Sequence, residues 1–163
     1  MIVFGIDPGS RFTGWAVIDY APSQSHCIAA GRIVLKQNSF TERLMHLHSG
    51  LTEVIQEHQP VHIGIETVFV QKNVQSALKL GQARGVALLA CAQHGVEPIE
   101  LSARFVKQCV TGSGSATKQQ VASMIRRIMG LNQILSEDAS DALSIALSCG
   151  HMVYTSQKRG VSL

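Results

Sequence analysis

The N-terminal run of residues 2–6 is apolar and rich in β-formers, and it stops at a single carboxylate, Asp7. Such a run reads as a buried strand. An acid at its end has a rigid base beneath it and an open rim above, a setting where catalytic groups are often found. Asp7 also opens an Asp-Pro-Gly turn, and on this stretch alone the turn reading and the catalytic reading stand level. Residues 61–65 form a second short, alternating apolar run, and it too ends in an acid, Glu66. Between them lie β-like runs over 13–20 and 27–35, which predict an antiparallel meander with Gly31 marking a bulge. A helix capped by Ser39 or Thr41 then runs to about His58 and ends at Pro60. Its apolar residues Leu44, Leu47, Leu51, Val54 and Ile55 recur at helical spacing. Strand, helix and strand in this order make a right-handed crossover. The Glu66 strand then runs parallel to the Asp7 strand, and both acids reach the sheet edge where α/β folds bind ligands.

The remainder continues the α/β alternation. Residues 67–73 read as a loop presenting Phe69 beside Lys72, before a helix over 74–94. Ala77, Gly81, Gly85 and Leu89 share one face of that helix. Glycine inside a helix costs about 1 kcal/mol relative to alanine. Close approach of another backbone offsets this, and that backbone belongs either to the protein's own sheet or to a second copy of the chain. Residues 98–101 form a fifth strand, and Ser102 caps a helix through Cys109 that carries Lys107. The glycine- and serine-rich loop 112–117 leads to a helix opening at Lys118 and ending near Met129. It lacks the Gly-Lys-Ser/Thr signature, so it is not a P-loop. Ser136 caps the last helix, whose first turn carries Asp138 and Asp141 on one face. Taken alone, these two acids suit the positive end of a helix dipole.

Carboxylates gathered in one place repel and raise one another's proton affinity. Hard divalent cations such as Mg²⁺ or Mn²⁺ relieve this and prefer oxygen ligands. Two ions about 3.5–4 Å apart can clamp the attacking and leaving oxygens of a phosphodiester. Asp7, Glu66, Asp138 and Asp141 would supply the ligands. Lys118 would stabilise developing negative charge or help activate water, and Lys107 would touch phosphate.

The 163 residues, 45% of them apolar, fit one domain over residues 1–155 and a short, flexible basic tail over 156–163. The net charge of +3 permits a nucleic-acid partner without requiring one. Cys27, Cys91, Cys109 and Cys149 form no Cys-x-x-Cys pair, which argues against a zinc ribbon and for a reducing cytoplasm. Neither a signal peptide nor a membrane-length apolar run is evident. Of the seven histidines only His151, which follows the aspartate-bearing helix, invites a functional reading.

These segments together resemble the RuvC family of bacterial Holliday-junction resolvases. The resemblance lies in residues 5–14, 65–73, 76–86, 106–108, 112–121 and 138–146, in family order across nearly the whole chain. It implies an RNase H-like α/β fold with a five-stranded mixed sheet, three antiparallel strands and then two parallel ones, flanked by helices on both faces. It also implies a homodimer that nicks two opposed strands of a four-way DNA junction and cooperates with the RuvAB branch-migration complex. On this resemblance Asp7, Glu66, Asp138 and Asp141 bind Mg²⁺, Lys118 is catalytic, and Lys107, Lys72 and Asn73 contact DNA. Phe69 stacks on an unpaired base near the junction centre. Two other readings stand beside it: a non-catalytic junction binder, and an ATP-binding half of the actin and sugar-kinase type. The first gains nothing from four acids facing phosphates. The second needs a partner half with its own phosphate loop.

Overall fold

The computed structural model describes residues 1–67 and 73–161. Its elements run β1 Ile2–Asp7, β2 Phe12–Asp19, β3 His26–Val34, α1 Phe40–His58, β4 His62–Glu66, α2 Val74–Gln93, β5 Ile99–Leu101, α3 Ala103–Thr111, α4 Lys118–Ile128 and α5 Glu137–Arg159. The strands form one five-stranded sheet in the order β3-β2-β1-β4-β5. β1 pairs antiparallel with β2, and β2 with β3; β4 pairs parallel with both β1 and β5. This is the mixed sheet that the meander and the crossover require.

Strand alternation sends neighbouring residues of β1 to opposite sides. Phe4 and Ile6 join Leu47, Leu51, Ile55, Ala83 and Ala87 in a core under α1 and α2. Val3 joins Leu143, Ile145, Val106 and Ile125 in a second core under α3, α4 and α5. Asp7 and Gly5 have the parity of Val3, so they face α5. In β4, Ile63 and Ile65 go to the α1–α2 side. Glu66 and Gly64 therefore face α5 as well.

Helix α5 lies on bare backbone. A Cβ at Gly5 would run into the Ala142 carbonyl and the Ala146 nitrogen, and one at Gly14 into the Asp138 carbonyl. The helix meets the sheet with small residues, among them Ala139, Ala142 and Ala146. Ser144 and Ser148 are buried there, and each hydroxyl donates to the carbonyl four residues back, at 2.9 and 2.8 Å. Their burial thus leaves no donor unsatisfied. Each large apolar side chain buried alongside, such as Leu143 or Ile145, contributes about 1.5–3 kcal/mol.

Four features depart from the sequence reading. The β2–β3 register shifts between Val17, which faces Ala29, and Ile18, which faces Cys27, so the extra residue is Ile28 and the bulge is not at Gly31. Gly31 instead leaves room for the indole of its cross-strand partner Trp15. Helix α3 continues past Cys109 to Thr111. Helix α5 carries on through residues 156–159, so Lys158 and Arg159 ride on its last turn before the Gly160 cap. In α2 the buried residues are Ala83, Ala87, Ala90 and Cys91. Gly81 and Gly85 are on another, exposed face, so they do not serve packing against the protein's own sheet.

Candidate active site

Local bonding fixes the rim on which Asp7 stands. The buried Thr13 hydroxyl donates to the Gly9 carbonyl at 3.1 Å and accepts from the Gly9 N–H at 3.3 Å. The turn after Asp7 is thereby tied to β2. Beyond Glu66, the Thr67 N–H donates to the Leu101 carbonyl at 2.9 Å and pins the end of β4 to β5. Parallel pairing aligns Ile6 with Ile65, which leaves Asp7 and Glu66 as neighbours at the carboxyl edge.

Asp138 and Asp141 come from the first turns of α5. The Ser136 hydroxyl caps that helix by accepting from the Ala139 N–H at 3.3 Å. Lys118 is the first residue of α4, behind a reciprocal cap between Thr117 and Gln120. A cation at a helix N-terminus opposes the dipole. Two acids offset this: Lys118 Nζ donates to Glu137 Oε1 at 2.8 Å and to Asp141 Oδ2 at 3.3 Å.

The electrostatics tie these groups into one neighbourhood. Burial, followed by the charges of Asp141 and Glu66 and more weakly Asp138, pushes Asp7 up to about 7, against relief from Lys118. Burial and then Asp141 raise Glu66, while Lys118 and Lys107 pull it down. Burial raises Asp141 too, Lys118 lowers it, and Glu137 and Asp138 raise it. Lys118 is held above the ordinary lysine range, first by its bond to Glu137, so it stands here as an ammonium. Among the described residues no three His, Cys, Asp or Glu side chains surround a single point at ligand distance. Protein cations hold the acids instead: Lys118 on Asp141, and Arg32 on Asp138 at 3.5 Å. The donor set still suits a hard divalent ion, because the carboxylates are oxygen ligands whose crowding a 2+ charge would relieve.

Lys107 is partly buried on α3, near enough to Glu66 to affect it. Asn73 caps α2, its side-chain oxygen accepting from the Ser76 N–H at 3.1 Å. His151 is an exposed residue within α5. Phe69 and Lys72 lie outside the described residues. Two residues of the site, Glu137 and Arg32, are not among those the sequence singles out. Glu137 and Asp141 are four apart, a spacing that puts them on one helical face. Arg32 had no local signal.

The chain matches the family model described as crossover junction endodeoxyribonuclease RuvC over residues 3–149. It is 47% identical over 147 residues to the crossover junction endodeoxyribonuclease RuvC of Chromohalobacter salexigens, covering 90% of this chain and 79% of that protein. It is 44% identical over 154 residues to the protein of the same name from Psychromonas ingrahamii, covering 94% and 89%. The structure superposes on that of T. thermophilus RuvC in complex with a Holliday junction substrate with a TM-score of 0.85, at 28% identity and with 96% of each chain covered.

Proposed function

The chain belongs to the RuvC family of crossover junction endodeoxyribonucleases, and from that premise we propose that Asp7, Glu66, Asp138 and Asp141 are its metal ligands and Lys118 its catalytic cation. The protein is a metal-dependent hydrolase that cuts phosphodiester bonds to resolve Holliday junctions in recombination and repair.

One observation carries it. Asp7 ends a central strand, half-buried beside Glu66, Asp138 and Asp141, with its proton affinity raised to about 7. A fold keeps such a costly arrangement where a cation is due to enter. The ion is Mg²⁺, with Mn²⁺ as substitute. Two such ions supply activation of the attacking water and neutralisation of the leaving oxygen. The chain's own part is to hold those ligands on two strand ends and one helix, so that little reorganisation is needed. Lys118, an ammonium held beside Asp141, donates toward charge that builds on the phosphate. Lys107 and Asn73 contact the DNA, and so do Lys72 and Phe69, which lie outside the described residues.

The assembly is a homodimer that nicks two opposed strands. Leu78 and Leu89 of α2 are 63% and 52% exposed. Among the described residues nothing lies within 4 Å of where a Cβ would stand at Gly81 or Gly85. This apolar face, bare at Gly81 and Gly85, suits close approach of a second α2. Cooperation with RuvAB and action in the cytoplasm follow from the family alone. Among the described residues no helix is long and apolar enough to cross a membrane.

A synthetic four-way junction tests the assignment. Wild-type chain nicks it symmetrically in Mg²⁺, while Asp7→Asn binds it and leaves it whole. Full cleavage by Asp7→Asn would refute the ligand set.

A further inference from the structure

Arg32 is the second protein cation on the acid site. It stands on β3 opposite Gly14 in register, so its side chain shares a face with Asp138. Its one hydrogen bond among the described residues, from Nη1 to Asp138 Oδ2, is 3.5 Å long. That is the outer limit for such a bond, and the two side chains are 45% and 27% exposed. A partly exposed pair of this length holds little energy. The guanidinium carbon lies 4.8 Å from the centre of the Phe12 ring. Stacking on an aromatic face orients a guanidinium while leaving its edge N–H groups available. Phe12 is itself 38% exposed at the start of β2, next to the exposed Arg11. Phe12 and Asp138, the two side chains that Arg32 touches, line a cleft of about 340 Å³ whose walls also include Pro8, Ser10, Arg11 and Leu80. Lys118, Glu137 and Asp141 line a different hollow.

We propose that Arg32 and Phe12 form a subsite for the nicked strand beside the scissile phosphate. Arg32 donates its forked N–H groups to a backbone phosphate, and the exposed face of Phe12 carries a base. The fork matches phosphate geometry, and an aromatic face accepts any base. A residue present only to balance the charge of Asp138 would not need the aromatic support of a ring that itself lines an open cleft. The inference rests on the acid site being where hydrolysis occurs.

The test is junction binding in chelator, where no strand is cut, measured by fluorescence anisotropy across a salt series. Arg32→Gln weakens binding several-fold and lowers the slope of log K against log salt by about 1. Arg32→Lys keeps the slope but recovers only part of the affinity, because an ammonium lacks the fork. Phe12→Ala weakens binding roughly fivefold or more with the slope unchanged, since stacking releases no counterion. Both side chains are more than one-third exposed, so the variants should fold. Unchanged affinity and slope in Arg32→Gln, with the wild type binding and nicking normally, would overturn this inference alone. A shifted Mg²⁺ requirement with unchanged junction binding would overturn it too, leaving Arg32 as a counter-charge for Asp138. A wild-type chain that neither binds nor nicks a junction would overturn the functional reading with it.

Discussion

Asp7 and Gly14 are register partners on β1 and β2, and the residue opposite the acid has no side chain. The Asp138 carbonyl occupies the space that a Cβ on Gly14 would need. The absence of one methyl group therefore sets how near α5 brings its acids to Asp7. Gly14→Ala should displace the start of α5 and lower junction cleavage at least tenfold, with a destabilisation of about 1–3 kcal/mol. Single-turnover cleavage and denaturant unfolding measure the two effects. A variant with wild-type cleavage would show that the helix seat has slack.

The raised proton affinity of Asp7 makes the metal-free protein sensitive to pH. A carboxyl raised from 3.8 to about 7 in the fold contributes stability while protonated and loses it as pH climbs through that window. Asn cannot ionise and does not suffer this loss. In chelator, Asp7→Asn should melt several degrees above wild type at pH 8, and the gap should close near pH 4. Thermal unfolding at both values decides it. A gap independent of pH would mean that the acid crowding is not the cause.

Saturating Mg²⁺ should erase much of that gap at pH 8, by restoring the wild type and not the variant. A ligand bound only by the folded state stabilises by mass action, and deprotonated acids bind it best. The apparent Mg²⁺ affinity of the wild type should accordingly rise between pH 6 and pH 8. Calorimetric titration at several pH values would expose a flat dependence, which contradicts the assigned ligands.

Glu137 holds Lys118 from an exposed position, and both side chains are about 70% accessible. Exposed pairs of this kind contribute about 0–1 kcal/mol. Glu137→Gln should reduce the cleavage rate by no more than about fivefold with KM little changed, and Glu137→Asp should restore part of it. Lys118→Ala removes the cation itself and should cost about a hundredfold or more. Equal losses in the two variants would give Glu137 a direct role in the chemistry.

The α2 face predicts an oligomer. Leu89→Arg should convert a dimer to monomer at micromolar concentration, seen by sedimentation velocity. Gly85→Ala should also weaken association, although the isolated helix gains about 1 kcal/mol. Dimers that persist in both variants would move the interface elsewhere.

The features that could be read in advance were those governed by local rules. Runs ending in Asp7 and Glu66, a crossover of fixed hand and a capped helix bearing Asp138 and Asp141 need only period, caps and chirality. Arg32 could not be found that way. Its place beside Asp138 depends on the bulge at Ile28, which resets which β3 residues face α5. Glu137 acquired meaning only once α4 had docked and brought Lys118 to it. Gly14 reads as part of a turn until α5 is laid across it.

The sheet also acts as a partition. Alternate residues of β1 and β4 feed separate cores, so repacking within the α1–α2 core reaches Asp7 and Glu66 through strand backbone. One side can drift and take on new associates while the other stays under chemical constraint. Descendants of such a chain could change whom they meet without relearning how to cut.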